Sequence, residues 1–195
     1  MKVILASASP RRAEILRMIG INFTVCPADI DEDICCGDPA RLTEIISEKK
    51  ALAVSGRVGE NDNFIIAADT VVAIDGLILG KPKSQSQDAR MLLMLSGKRH
   101  AVFTGVCMKY MDKTVIFHEK SEVEFCQMSD EEILSYISSG EPMDKAGAYG
   151  IQGLGSKYVK GIVGDFFNVM GFPVNSFYRH TVDMDMDLAG KLFKL

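Results

Sequence analysis

Two serines and two arginines lie close together near the start of the chain. They belong to the segment ASASPRR at residues 6–12, where a short apolar strand is predicted to end and a helix to begin. A helix N-terminus presents unpaired N–H groups and a partial positive charge, and hydroxyl and guanidinium groups are further donors for phosphate oxygens. The segment therefore fits a phosphate-binding site. On its own it also fits a capped helix whose arginines are only solvated.

A single carboxylate interrupts an otherwise apolar predicted strand. Asp69 lies in the sequence AADTVV at residues 67–72. Burial of an ionised carboxylate is costly unless the group is paired or bound to a metal ion. Asp69 is therefore either a metal-linked or catalytic carboxylate, or a structural aspartate bonded to a neighbouring backbone. The strand alone favours neither interpretation.

Two later segments could reach the same ligand. Lys81, in the sequence GKP, follows a predicted hairpin, and near Asp69 and a phosphate it would act as a point charge. A lone lysine on a turn is more often solvated. The glycine-rich stretch 140–156 would let backbone amides approach a ligand closely, although it could also be a surface loop. Its polar side chains give it more reach than a connector needs, and these are Asp144, Lys145, Tyr149 and Gln152.

The elements that must position these residues alternate between strand and helix, which is typical of an α/β fold. The predicted strands cover residues 3–6, 23–28, 64–74, 77–79, 101–110 and 114–125. The predicted helices run from Pro10 to Gly20, from Pro39 to Gly56, from Gln85 to Leu95, from Ser129 to Gly140 and onward from near Pro173. Ser9 is the predicted N-cap of the first helix.

Composition limits the classes of function. The 195 residues suit one domain over 1–195, or two lobes that share one core, with no clear boundary between them. With 22 Lys and Arg against 26 Asp and Glu, the net charge is −4. A nucleic-acid partner is therefore not expected, because such proteins normally have a basic excess or a basic face.

Cysteine usage and hydropathy indicate a cellular compartment. The five cysteines form no C-x-x-C pair, so we expect free, mostly buried thiols in a reducing compartment. No apolar run approaches the roughly 18 residues of a membrane-spanning helix, and the apolar start is too short for a signal peptide. The sequence predicts a cytoplasmic protein without a membrane partner.

Taken together, the motifs resemble those of the Maf proteins. Phe172 is a small departure, since leucine is more usual there. The order and spacing of the motifs agree from residue 3 to about residue 180. The segments that match are SASPRR-x-EIL from Ser7, ADTVV from Ala68, GKP from Gly80, SG from Ser96, H-x-V-x-TG from His100, EP-x-DKAGAYGIQG from Glu141 and GDFFNV-x-G-x-P from Gly164.

The resemblance implies a fold and an activity. Maf proteins are nucleoside triphosphate pyrophosphatases that release the monophosphate and pyrophosphate with a divalent metal, Mg²⁺ or Mn²⁺. Their fold is an elongated mixed β-sheet flanked by helices, with a nucleotide cleft between two lobes, as in inosine triphosphatases, and they are often homodimers. The stretch KAGAYGIQG at 145–153 resembles the branch that acts on dTTP and UTP, and not the sister branch that prefers 7-methyl-GTP.

The resemblance also assigns roles to individual positions. Asp69 matches the proton acceptor, and with Glu32 it falls in the metal region. The positions that match base selectivity are Arg11, Thr70 and Gln152. The positions that match the phosphate region are Ser7, Ser9, Arg12, Lys50 and Lys81.

Two alternatives stay open at this point. The same cleft could belong to a non-catalytic nucleotide sensor that regulates cell division, or to a house-cleaning enzyme whose substrates are modified pyrimidine nucleotides. A sensor would bind dTTP without releasing pyrophosphate, whereas an enzyme needs the intact Asp69. The sequence does not rank modified against ordinary pyrimidines.

Overall fold

The structure, a computed structural model, describes residues 1–59 and 62–194. One mixed sheet with the order β2-β1-β3-β5-β6-β7 forms its centre, and β4 pairs with the end of β3. β1 is parallel to both of its neighbours and the other pairs are antiparallel, so the predicted mixed α/β class is confirmed. The strands are β1 (Lys2–Leu5), β2 (Thr24–Val25), β3 (Asn63–Ile74), β4 (Leu77–Leu79), β5 (Arg99–Tyr110), β6 (Lys113–Phe125) and β7 (Val159–Val163).

Helices cover both faces of this sheet. The helices are α1 (Pro10–Met18), α2 (Pro39–Val58), α3 (Gln85–Leu95), α4 (Asp130–Ser138), α5 (Phe166–Met170), α6 (Val174–Met184) and α7 (Met186–Phe193). The glycine-rich stretch contains three short 3₁₀ turns, at Glu141–Asp144, Ala146–Ala148 and Leu154–Tyr158.

Several predicted boundaries were wrong. α2 continues past Gly56 to Val58, because the stop is provided by Gly59, whose φ of 76° suits glycine. The strand predicted at 23–28 is reduced to Thr24–Val25, which pairs only with the last residues of β1. β7, α5 and α7 were not predicted as separate elements.

β3 holds the candidate residues Asp69 and Thr70. One of its edges pairs with β5 over residues 64–73, and the other pairs with β1 at 63–66 and with β4 at 72–74. In the described part of the chain, residues 67–71 therefore have no strand neighbour on that second edge. This gap lets side chains from both faces of β3 reach one cleft, since successive side chains point to opposite faces.

One face of the sheet has two separate apolar cores. The even-numbered residues 64–68 of β3 pack with α1, α6 and α7, whereas Val72 and Ile74 pack with α3 and α4. Thr70 and its cross-strand partner Thr104 lie between the two cores. A polar strip thus divides the apolar face.

α2 covers the opposite face at very short range. Gly105 lies opposite Asp69 in the β3–β5 register, and a Cβ at Gly105 would overlap the backbone of Thr43. Glycine at this position lets α2 lie flat on the sheet, so Lys50 of α2 comes within reach of Asp69.

The cysteines are free, but the prediction that they are mostly buried was wrong. Only Cys107, on β5, is buried, while Cys35 and Cys126 are exposed and Cys26 and Cys36 are intermediate. Those four lie outside helices and strands, where fewer neighbours cover them. Among the described residues, no helix combines the length and the hydropathy needed to cross a membrane.

Candidate functional site

One cleft of about 300 Å³ opens at the gap along β3. Its wall includes Met170 of the first apolar core and Val72 of the second. The structure brings all ten predicted site residues to this cleft, and their individual roles stay predictions. These residues are Ser7, Ser9, Arg11, Arg12, Glu32, Lys50, Asp69, Thr70, Lys81 and Gln152.

The N-terminus of α1 lies at the cleft without a side-chain cap. Ser9 occupies the N-cap position as predicted, but its hydroxyl accepts no hydrogen bond from the first turn. In contrast, Asp38 caps α2 and Ser129 forms a capping box on α4. The first turn of α1 also contains no acidic residue. Its N–H groups and partial positive charge therefore suit an anion in the cleft.

Arg12 is fixed in the wall of the cleft. Its Nε donates to the Gly171 carbonyl at 2.9 Å, and its two Nη atoms donate to the Ser7 hydroxyl at 3.1 Å and the Thr70 hydroxyl at 3.0 Å. Burial lowers the pKa of Arg12, and the charge of Asp69 opposes that shift. The guanidinium has five N–H donors, so donors remain for a ligand after these three bonds.

Lys50 joins the two carboxylates that the sequence assigns to catalysis and metal binding. Its Nζ lies 2.8 Å from Asp69 Oδ1 and 2.8 Å from Glu32 Oε1. Lys50 and Asp69 are buried, whereas the Glu32 side chain is 51% exposed. Partial burial raises the pKa of Glu32, but the hydrogen bond and charge of Lys50, with the charges of Lys81 and Arg12, outweigh it and lower that pKa. The carboxylates therefore already face one cationic centre.

These two carboxylates fit a divalent cation that shares its ligands with a phosphate. Lys50 pairs with one oxygen of each carboxylate, Asp69 Oδ1 and Glu32 Oε1. The second oxygen of each is a hard donor of the kind that Mg²⁺ and Mn²⁺ prefer. The described residues contain no group of three or more His, Cys, Asp or Glu side chains suited to a metal. Mg²⁺ commonly uses only one or two carboxylates together with substrate phosphates and water. The donor set is thus complete only with a phosphate ligand.

Arg11 connects the two sides of the cleft mouth. Its Nη1 lies 3.1 Å from Asp144 Oδ2, and its Nη2 donates to the Asp144 carbonyl at 3.3 Å. Lys145 donates to the other carboxylate oxygen of Asp144 at 2.6 Å. Partial burial raises the pKa of Asp144, but Lys145 and Arg11 together lower it below its ordinary value. Arg11 of α1 is therefore attached to the glycine-rich stretch.

The backbone around Gln152 is held by one carboxylate. Glu141 accepts hydrogen bonds from the Leu154 amide at 2.9 Å and the Gly155 amide at 3.2 Å. The Tyr136 hydroxyl donates to the same carboxylate at 2.8 Å. Gln152 itself is exposed at the cleft. Hydrogen bonds to Glu141 therefore fix the backbone of this stretch, and the side-chain amide of Gln152 stays available at the cleft. The stretch is not a simple surface connector.

Sequence reasoning missed two residues behind the cleft wall. Thr104 and Asn168 are both fully buried, and they continue the hydrogen bonds of Thr70 into the protein. Both lie among apolar residues in motifs that match the Maf proteins. A polar residue among apolar ones is also the pattern that singled out Asp69. A polar side chain within an apolar run could have identified them.

A buried histidine lies beneath the same wall. His100 Nε2 is 2.8 Å from the hydroxyl of Tyr149, which lines the cleft. Burial lowers the pKa of His100 to about 4. The ring is therefore neutral near pH 7 and supports Tyr149 without adding charge.

Comparisons with known proteins extend over nearly the whole chain. Residues 2–183 match the family model described as Maf-like protein. The dTTP/UTP pyrophosphatase of Thermosipho africanus strain TCF52B is 46% identical over 191 residues, which are 98% of this chain and 97% of that protein. The dTTP/UTP pyrophosphatase of Aquifex aeolicus strain VF5 is 43% identical over 190 residues, 97% of this chain and 98% of that protein. The solved structure of the Staphylococcus aureus Ham1 protein has a TM-score of 0.49 and 16% identity, over 82% of this chain and 80% of that one.

Proposed function

The chain belongs to the Maf-like protein family, and on that premise we propose that it hydrolyses dTTP and UTP to the monophosphate and pyrophosphate. The observation that supports this most is the buried Asp69, held by Lys50 at a cleft whose other groups suit phosphates. The relatives named dTTP/UTP pyrophosphatase match 97–98% of the chain.

The charge of the cleft suits a triphosphate although the protein is acidic overall. The net charge of the chain is −4, yet five cationic side chains and an uncapped helix N-terminus meet at the cleft, against three carboxylates. Arg12 is fixed and buried, and a guanidinium pairs with phosphate through parallel N–H donors. The cationic side chains are Arg11, Arg12, Lys50, Lys81 and Lys145.

Asp69 is the proposed proton acceptor. Lys50 binds its Oδ1, which leaves Oδ2 to take a proton from a water molecule. As the proton moves, the water oxygen bonds to the α-phosphorus and the α–β bridging bond breaks, so that pyrophosphate leaves. Asp69 and Glu32 would hold the divalent cation, which when bound neutralises phosphate charge and activates water. Ser7, Ser9 and Lys81 would contact the leaving phosphates.

Base selectivity is proposed to depend on the glycine-rich stretch. The Gln152 amide offers both a donor and an acceptor, which can pair with the edge of uracil or thymine. These two bases differ by one methyl group, and one methyl discriminates by only about 1–3 kcal/mol. dTTP and UTP are therefore both expected as substrates, and CTP is expected to be poorer because its hydrogen-bonding edge is reversed.

A substrate panel with pyrophosphate detection tests this proposal. We expect release from dTTP and UTP with Mg²⁺ or Mn²⁺, loss of activity in EDTA and recovery with excess metal. Binding of dTTP without pyrophosphate would support the sensor, and a much higher kcat/KM for a modified pyrimidine would support the house-cleaning role. A preference for 7-methyl-GTP would contradict the proposal. A cytoplasmic location and a homodimer are further expectations of the same proposal, to be tested by fractionation and light scattering.

A further inference from the structure

Two threonines, Thr70 and Thr104, lie between the two apolar cores. Valine side chains would fill the same space without a polar atom. Thr70 and Thr104 face each other in the β3–β5 register, with their Oγ1 atoms 3.0 Å apart. Thr104 is fully buried. The neighbouring positions on the same face are apolar and include Val72, Val102 and Val106. Buried hydroxyl groups are costly unless each hydrogen bond is made, so the direction of each bond is informative.

The donor in the bond between Thr70 and Thr104 follows from the other partners of each hydroxyl. Thr104 has one hydroxyl proton, and it donates that proton to the Asn168 carbonyl at 3.0 Å. In the bond between the threonines, Thr70 must therefore be the donor. Thr70 also accepts a hydrogen bond from Arg12 at 3.0 Å. Its proton and one of its two lone pairs are thus occupied, and only one lone pair remains for the cleft.

Asn168 holds the carbonyl that fixes this direction. It is fully buried, and its side-chain amide donates to the Val102 carbonyl at 3.1 Å and to the Ser121 hydroxyl at 2.9 Å. These two bonds attach α5 to β5 and β6. One lone pair of the Asn168 carbonyl accepts the Gly171 amide at 2.9 Å, and the carbonyl oxygen also lies 3.0 Å from the Thr104 hydroxyl. These two oxygens would repel each other unless the Thr104 proton lay between them, so Thr104 is the donor.

We infer that Thr104 and Asn168 are positioning residues which hold the Thr70 hydroxyl as a hydrogen-bond acceptor toward the cleft. A bound molecule must then bring a donor to Thr70. The N3–H of uracil and thymine is such a donor, whereas N3 of cytosine is an acceptor and would face the Thr70 lone pair. This inference rests on the proposed function, because it names the base edge that the pyrophosphatase cleft would select.

Binding of nucleotides that cannot release pyrophosphate tests the inference separately from catalysis. The α,β-methylene analogues of UTP and CTP share one sugar and one phosphate chain, so the ratio of their Kd values isolates the base. Thr104→Val keeps the shape but removes the hydroxyl, which frees the Thr70 proton to point into the cleft. We expect the preference for the UTP analogue over the CTP analogue to fall about tenfold, the effect of one directed hydrogen bond.

Two further variants separate positioning from loss of packing. Thr181→Val removes another fully buried hydroxyl, which donates to the Phe177 carbonyl at 2.7 Å in α6, and its ratio should equal that of the wild type. Thr104→Ser should restore the wild-type ratio. Circular dichroism melting checks that each variant is folded, and Thr104→Ala replaces Thr104→Val if the latter is not.

Three results would overturn the inference. These are an unchanged ratio in the folded Thr104 variant, an equal loss of affinity for both analogues, and no binding of either analogue to the wild type. Pyrophosphate release from UTP by the wild type is measured in parallel. If release is absent while the ratio still shifts, the proposed function fails and the inference about Thr70 stands.

Discussion

Asp69 and Thr70 are consecutive on β3 but serve the cleft from opposite faces of the sheet. On the Asp69 face, charged groups from α2 and the acidic loop meet, since Lys50 Nζ lies 2.8 Å from both Asp69 and Glu32. On the Thr70 face, Arg12 and the N-terminus of α1 carry positive charge at the cleft, but Thr104 and Asn168 behind the wall are neutral and hydrogen-bonded to Thr70 in series. The comparison indicates a division of labour. We expect the Asp69 face (the charged face), together with Arg12, to act on the phosphates, which all nucleotides share. We expect the neutral groups behind Thr70 (the neutral face) to distinguish one base from another.

The largest expected effect comes from the charged face. Asp69→Asn keeps the size of the side chain but removes the proposed proton acceptor and one charge, so kcat for dTTP, UTP and CTP should fall by the same ~10²–10⁴-fold. Pyrophosphate release measured at saturating substrate checks this. Asp75→Asn, at the exposed hairpin turn after β3, is the matched control and should keep wild-type activity. A residual rate above roughly a tenth of wild type, or a loss confined to one base, would remove Asp69 from this role.

The buried His100 on the neutral face should make the free energy of unfolding depend on pH. Burial lowers the pKa of His100 from 6.5 to about 4, so between these values the unfolded chain takes up a proton that the folded protein does not. The contribution of His100 to the free energy of unfolding should therefore fall by about 3 kcal/mol as the pH drops from 6.5 to 4. Urea unfolding of the wild type and of His100→Asn measures the difference.

His100→Asn should lose this part of the pH dependence. Thr181→Val, which removes a buried polar group that does not titrate in this range, should lower stability and keep the slope. If His100→Asn and the wild type lose stability in parallel, His100 is not a buried neutral ring and the neutral character of this face is in doubt.

A smaller effect is expected at the glycine-rich stretch. Gln152→Ala removes the free amide at the cleft, so the preference for dTTP over CTP should fall about tenfold, as for one hydrogen bond. Steady-state kcat/KM for both nucleotides gives the ratio. Lys157→Ala, directly after the same stretch and outside the cleft lining, is the control. Equal losses for dTTP and CTP would show that Gln152 reads something other than the base.

The smallest effect is expected at the cleft mouth. Asp144 is 58% exposed, so its ion pair with Arg11 is weak and screened by salt. Asp144→Asn should change KM for dTTP less than about fivefold and leave kcat unchanged. A large fall in kcat would mean that Asp144 takes part in the chemistry. The proposed separation of roles between the two faces would then be wrong.

Sequence patterns predicted the local features of this molecule well. The apolar run around Asp69, the turn at Asp75-Gly76 and the capping box at Ser129 each depend on neighbouring residues, and the structure contains all three. β7 and α5 were missed because each is only five residues long. Such short elements depend on the strands and helices against which they pack.

The contacts between distant residues could not be predicted in the same way. Thr70 and Thr104 are 34 residues apart, and Thr104 and Asn168 are 64 apart, so their hydrogen bonds depend on the sheet register and on the packing of α5. The resemblance to Maf proteins assigned Lys50 to phosphate, but its ion pairs with Asp69 and Glu32 needed the close approach of α2 at Gly105.

Hydrolysis of dTTP in water enriched in heavy oxygen tests the central claim most directly. If Asp69 activates water toward the α-phosphorus, the label must appear in dTMP, with one pyrophosphate formed for each dTMP. Mass spectrometry of the nucleotide and phosphorus NMR of the products report both quantities. The label in pyrophosphate, or products consisting of dTDP and orthophosphate, would contradict the account.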